Sequence, residues 1–149
     1  MESEFVWPTL LGEQIVPFYM RTPERFVVPL TRTGEVLDGE HAKIDAYPGL
    51  AAWTRAAEEL WTTHGQSKLS LSEQIDHMRK LTQQLPVPPI RVAYAASGMH
   101  VSAALVTDPA ALIEHAIYWA AVSTTSEGHY LVGILNRSEE RRVGKECRL

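Results

Sequence analysis

IRVAYAASGMHVSAALVT, residues 90–107, is the stretch on which the fold turns. Ile90 to Ala95 and Val101 to Thr107 are extended apolar runs around Ser97-Gly98-Met99-His100. Two such runs about a short connection with a glycine predict a hairpin or tight strand connection. Just upstream, Pro86, Pro88 and Pro89 stop any helix, because proline lacks the amide donor and clashes with the preceding turn. The texture before these prolines is helical and the texture after them is extended, which predicts an α+β chain.

Working upstream, residues 45–64 predict a helix. Pro48 suits its first turn, and Gly65 is a plausible stop. Leu50, Trp53, Ala57, Leu60 and Trp61 recur at helical spacing and form its expected apolar face. A second helix is expected after Ser70, with Ser70 and Glu73 at capping-box spacing. Ile75, Met78, Leu81 and Leu85 follow on one stripe. Residues 5–30 read as short extended pieces broken by Pro8, Pro17, Pro23 and Pro29, each of which restricts the residue before it. Phe26-Val27-Val28 is a strand candidate, and residues 31–39 are a turn or loop.

Working downstream, Asp108-Pro109 opens a turn or short helix running to Glu114. Residues 116–122, AIYWAAV, read as a buried strand, with a helix as the alternative. Ser126 is expected to cap a last helix, residues 127–136, that turns Tyr130, Leu131, Ile134 and Leu135 inward. There are no internal repeats.

The end of the chain has another character. RSEERRVGKEC, residues 137–147, resembles a short-read library adapter translated in one frame, and such scars are excluded from fold reasoning. The alternative is a natural basic tail. The expectation is therefore a partial domain over residues 1–136 and a non-native tail over 137–149, with Met1 either an internal methionine or a miscalled start. The tail holds five of the 14 Lys+Arg and three of the 18 Asp+Glu, leaving nine against 15 and a net charge of −6. That balance argues against an indiscriminate nucleic-acid binder. The single cysteine, Cys147, lies in the tail, which excludes a disulfide framework and thiol catalysis in the remainder. No apolar run has the length of a membrane span, and no signal-peptide pattern opens the chain.

No catalytic motif is complete. The six histidines lack metal-ligand spacing, and there is no phosphate-cradling glycine loop, GxSxG elbow or nucleotide fingerprint. Glu58 and Glu59 are neighbours on a helix and do not face each other. Three places could carry chemistry. Ser97 and His100 lie in a polar loop that could reach base edges in a DNA groove, or could be an ordinary connection. Thr124, Thr125 and Ser126 open a helix whose N–H groups and hydroxyls could hold a phosphate, or could simply cap it. Arg21, Arg25, Arg32, Lys43, Lys68 and Arg91 could contact phosphates, or could be routine surface charges.

The order of segments adds a resemblance. LLGEQIVPFYMRTPERFVVPL, DAYPGLAAWTRAAEELW, RVAYAASGMHVSAALVTD and IYWAAVSTTSEGHYLVGILN together resemble the target-recognition region of adenine-specific DNA methyltransferases, TaqI-like and combined restriction–methylation enzymes included. That family's region opens on a leucine-rich L-R-G-x-D-I element, here Leu11 to Ile15 with Leu11 where arginine is common. It closes on Y-L-x-x-I-L-N-S, here Tyr130 to Asn136. The similarity covers nearly all of residues 7–136.

The resemblance implies a target-recognition-type domain, incomplete here, in a cytoplasmic, bacterial-type restriction–modification enzyme. It implies double-stranded DNA as partner, no membrane, and a catalytic methyltransferase domain upstream in the intact chain. The family's Asp/Asn-Pro-Pro-Tyr/Phe motif and its S-adenosylmethionine site are absent, so the cofactor is expected in the parent enzyme and not in this chain. Ser97 and His100 are then expected to read bases, with Arg21, Arg25, Arg91, Thr125 and Ser126 as further DNA-contact candidates. The alternatives are a non-catalytic specificity subunit, or a protein-interaction domain in which Trp53, Trp61 and Trp119 are only core.

Overall fold

The computed structural model describes residues 2–95 and 101–137. In chain order the strands and helices are β1 (Val6–Leu10), β2 (Ile15–Val16), β3 (Tyr19–Met20), β4 (Glu24–Val27), α1 (Pro48–His64), α2 (Leu71–Ile75), β5 (Arg91–Ala95), β6 (Ser102–Val106), β7 (Leu112–Ile113), β8 (Tyr118–Ala121) and α3 (Thr125–Arg137). The chain is α+β, as its change of texture predicts, with three helices and three small sheets among the described residues. It divides into two compact units, Met1–Trp7 with Arg25–Pro86 and Pro8–Glu24 with Val87–Leu149. No helix among the described residues is long and apolar enough to cross a membrane.

In the first unit, Phe5, Leu37, Ile44, Leu50 and Ala51 form the core, and the Tyr47 ring meets Phe5 edge-on at 4.8 Å. The turn after Leu30 closes through Thr31, whose hydroxyl accepts the Glu35 N–H at 2.9 Å, with Gly34 at a φ of 90° that glycine adopts readily. Helix α1 starts at Pro48, as expected. Its cap comes from far away in sequence, because the Glu2 carboxylate accepts Gly49 and Leu50 N–H at 2.8 and 2.9 Å. The bond from Gly49 is the main reason that this carboxyl sits below its ordinary pKa, against the opposing effect of desolvation.

The buried face of α1 differs from the expected one. Leu50, Ala51 and Thr54 are buried, whereas Trp53 and Leu60 are exposed. Polar contacts set this phase. The Glu58 carboxylate accepts the Gly39 N–H at 3.0 Å, and the Arg55 Nε donates to the Gly39 carbonyl at 2.9 Å. Helical spacing alone cannot choose between two neighbouring stripes when both contain apolar residues.

The second helix is also shorter than its stripe predicts. The box at its start is present: Ser70 Oγ accepts the Glu73 N–H at 3.2 Å and Glu73 accepts the Ser70 N–H at 2.8 Å. The helix then stops at Ile75. The Asp76 carboxylate accepts the N–H groups of Leu81 and Thr82 and the Thr82 hydroxyl at 2.8–3.0 Å. Short acidic side chains compete in this way with helical hydrogen bonds. Met78 and Arg79 take φ of 57° and 59°, and Met78 is exposed instead of inward.

In the second unit, β6, β5 and β8 form an antiparallel sheet in that order. Arg91 pairs with Val106 and Ala95 with Ser102, so the expected hairpin is present. Its connection, residues 96–100, lies outside the described residues. Ala93, Ala104 and Val106 pack with Leu10, Ile15, Ile113 and Ile117. Thr9 and Leu10 of β1 run parallel to Leu112 and Ile113 of β7. The segment after Asp108 is thus a turn and a short strand, not a helix. Residues 118–121 are an edge strand and not a buried one. Trp119 packs against the core, but Tyr118, Ala120 and Ala121 are exposed, and among the described residues no strand lies beyond β8 in this sheet.

Helix α3 is also rotated from expectation. Gly128, Val132 and Asn136 are buried, while Tyr130 and Ile134 face solvent. Its cap is Thr124, not Ser126: the Thr124 hydroxyl accepts the Glu127 N–H at 3.1 Å.

Candidate nucleic-acid interface

The second unit gathers most of its distinctive polar chemistry around β6. Ala103 pairs with Tyr94 across the hairpin, and its own N–H and carbonyl point away from β5. The Asn136 side chain takes both: the Ala103 N–H donates to Oδ1 and Nδ2 donates to the Ala103 carbonyl, each at 2.9 Å. An amide with one donor side and one acceptor oxygen can complete such a pair, whereas a carboxylate or an amine cannot. The Phe18 N–H donates to the same carbonyl at 3.0 Å. A strand edge that could recruit another chain is therefore occupied from within. Asn136 thus clamps α3 to the hairpin strand.

The Phe18 amide belongs to the β2–β3 hairpin, in which Val16 pairs with Tyr19 across the two residues Pro17 and Phe18. Met20 packs inward against the core, while Tyr19 and Arg21 face solvent. Phe18 and Tyr19 are 65% and 63% exposed. On the other side of the sheet's row, the Tyr118 ring stacks on Tyr94 with centroids 5.3 Å apart.

The candidates from sequence meet different fates. Ser97 and His100 lie outside the described residues. Arg91 has no exposed surface: its Nη2 donates to the carbonyls of Asp108 and Ala111 at 3.0 and 2.7 Å. Burial pushes the guanidinium below its ordinary pKa, and Asp108 partly offsets this. Arg91 therefore ties the 108–111 turn to β5 and is not at the surface to meet a phosphate. Thr125 and Ser126 stand exposed and adjacent in the first turn of α3. Arg21 is exposed beside the hairpin tip in the second unit, and Arg25 is exposed on β4 in the first. Arg32 lies over the Trp7 ring at 3.6 Å, and Lys43 is bound to Glu35 at 2.6 Å.

The first unit holds a cavity of about 480 Å³ lined in part by Asp38, Glu73, Asp76, His77 and Arg79. Glu73 and Asp76 already accept backbone N–H groups, which makes them caps and not an acid–base pair. The bond from the Ser70 N–H is the main reason that the Glu73 carboxyl sits below its ordinary pKa. No cluster of three or more potential metal ligands occurs among the described residues.

The comparisons with known proteins add nothing to this geometry: no family model, curated protein or solved structure matches the chain.

Three residues with clear structural roles escaped the sequence reading. Asn136 was visible only as the end of a motif. Gln14, buried, accepts the Leu11 N–H and donates to Glu24 at 3.0 and 3.2 Å, and nothing in its spacing signals this. Phe18 did carry a signal, since a proline followed by two aromatics interrupts the alternation of residues 15–20 with apolar surface at a turn.

Proposed function

We propose that this chain is the DNA target-recognition part of an adenine-specific, S-adenosylmethionine-dependent DNA methyltransferase of a restriction–modification system. The observation that carries the reading is the Asn136 clamp. The most specific element of the resemblance, Tyr130 to Asn136, ends on the side chain that fixes β6. β6 is one arm of the hairpin whose connection carries Ser97 and His100. A recognition loop needs such a rigid base, because base contacts discriminate only when backbone and side chain are held in register.

In this reading the chain holds and selects duplex DNA. The extrusion of adenine from the stack and the methyl transfer belong to another part of the parent enzyme. The described residues do not fit the cofactor. In doubly wound folds nucleotide-type ligands sit at the carboxyl ends of an open parallel sheet, and among the described residues the parallel pairing of β1 with β7 is two residues long. Ser97, His100, Arg21, Arg25, Thr125 and Ser126 remain the proposed DNA contacts, and Arg91 becomes a supporting residue.

Sequencing the coding region on both sides of codons 1–136 tests the reading. An in-frame Asp/Asn-Pro-Pro-Tyr/Phe motif upstream is the expected result. A frame that closes without the motif overturns the methyltransferase assignment, and a second recognition domain in that frame would leave a specificity subunit.

A second reading has one observation in its favour. Tyr130 and Ile134 lie one turn apart on the exposed side of α3, an apolar stripe of the kind that protein interfaces use. A duplex-binding titration at several salt concentrations separates the two, since phosphate contacts release counterions and make affinity fall steeply with salt.

A further inference from the structure

The tip of the β2–β3 hairpin combines three features that do not normally occur together. First, Phe18 sits at a φ of 65°, a conformation that non-glycine residues seldom adopt and bulky ones least of all. The turn follows a proline, and a turn with proline at its first central position ordinarily takes glycine or asparagine at the second when that residue has positive φ. Second, the ring so placed is not buried. Phe18 and its neighbour Tyr19 are both nearly two-thirds exposed. Third, the tip is rigidly held. The Phe18 N–H bonds to Ala103 on β6, the Arg21 N–H bonds to the Gln14 carbonyl at 2.8 Å, and Met20 packs into the core. Unusual backbone geometry that the surrounding structure enforces is characteristic of places that contact ligands.

The size of the feature points to its partner. Two rings exposed to this extent present about 250 Å². A stable protein interface needs about 800 Å² from each side, so the tip alone is too small to be one. It has the dimensions of a wedge: proteins that grip duplexes insert one or two apolar side chains at a base step and partly unstack it. Arg21, two residues beyond Tyr19 and on the same outward side of the strand, supplies a cation for the adjoining phosphate.

We propose that Phe18 and Tyr19 form a base-stacking wedge that engages duplex DNA, with Arg21 on the neighbouring phosphate. This inference rests on the DNA-recognition reading and assigns it a contact that the sequence did not.

The test uses the full chain, a fluorescein-labelled duplex of random sequence, and the same duplex carrying 2-aminopurine. Wild type should bind with an affinity that falls as salt rises, and should brighten the 2-aminopurine as a step unstacks. Phe18→Gly suits the positive φ and leaves the melting temperature unchanged or raised, yet it should weaken binding about 5- to 150-fold, the range for loss of one stacked aromatic. Phe18→Trp should restore binding. Arg21→Ala should lower the slope of log affinity against log salt by about 0.9. If Phe18→Gly binds as tightly as wild type, the wedge is overturned while the DNA reading stands. If wild type itself shows no salt-dependent binding, both fall. If Phe18→Gly leaves DNA binding intact but abolishes self-association in sedimentation, the tip is a contact between copies of the chain and the wedge is again overturned.

Discussion

The bonds that shape the α2 region close over short lengths of chain, whereas those that brace the β5–β6 hairpin close over long ones. In the unit that holds α1 and α2, Ser70 reaches three residues to Glu73, Thr31 four to Glu35, and Asp76 five and six to Leu81 and Thr82. Glu2, Trp7, Glu58 and Arg55 are its exceptions, reaching 47 residues to Gly49, 23 to Leu30, and 19 and 16 to Gly39. In the unit that holds the β5–β6 hairpin, Arg91 reaches 17 and 20 residues, Asn136 reaches 33, and Glu114 reaches 102 to the Gly12 N–H. Local bonds shape a segment and can open with it. Long-range bonds form only when the whole unit is assembled, so losing one is felt throughout that unit.

The sharpest way to break this contrast is at Arg91. Arg91→Ala removes a fully buried side chain and strands two carbonyls. It should cost about 3–5 kcal/mol and unfold the second unit cooperatively. Arg91→Met fills most of the volume and should recover part of that loss, which separates packing from hydrogen bonding. Hydrogen exchange would follow both, and protection lost only around residues 108–111 would show that the bond is local after all.

Asn136→Ala comes next. It deprives the Ala103 N–H of its acceptor and releases α3 from β6. A buried group left unpaired costs about 2–3 kcal/mol, and chemical denaturation should read that loss across β5, β6 and α3 together. In the other unit the expected response differs in kind. Asp76→Ala removes three local bonds at a cost of about 1–2 kcal/mol. Exchange should quicken over residues 76–85 while the core around Leu37, Ile44 and Leu50 stays protected. Loss of protection across that core would erase the distinction between the units.

The same contrast explains what the sequence made visible. The β5–β6 hairpin, the Pro48 start of α1 and the Ser70–Glu73 cap were legible because each depends on residues a few positions apart. The phases of α1 and α3 were not. In α1, Trp53 and Leu60 are as apolar as Leu50, and only Glu58 and Arg55 meeting Gly39 select the stripe. In α3, Tyr130 and Ile134 offered a larger apolar face than Gly128 and Asn136, but a small residue lets the helix approach β6 and an amide completes that strand's edge. The stripe after Ser70 pointed to a longer helix because Asp76 reads as an ordinary surface residue until its carboxylate is seen to hold Leu81 and Thr82. Of the candidate site, the sequence marked Ser97 to His100 and the arginines but could not distinguish the buried Arg91 from the exposed Arg21. Both are single cations in extended segments, and only the path of residues 108–111 encloses one of them.

The smallest expected effect tests the account of α3 directly. Gly128 and Gly133 occupy one helix and differ in what a methyl group would meet. At Gly133 nothing lies within 4 Å, so Gly133→Ala should stabilise the chain by about 0.5–1 kcal/mol through helix propensity alone. At Gly128 the methyl would run into the Leu105 Cδ1 and approach the Val122 Cγ2 at 3.4 Å. The half-buried Leu105 side chain must turn aside, which offsets part of the same propensity gain. Gly128→Ala should therefore fall below Gly133→Ala in melting temperature even though the two changes are chemically identical. Equal shifts for both would mean that α3 does not press on β6 at Gly128, and that Val132 and Asn136 hold the helix in place.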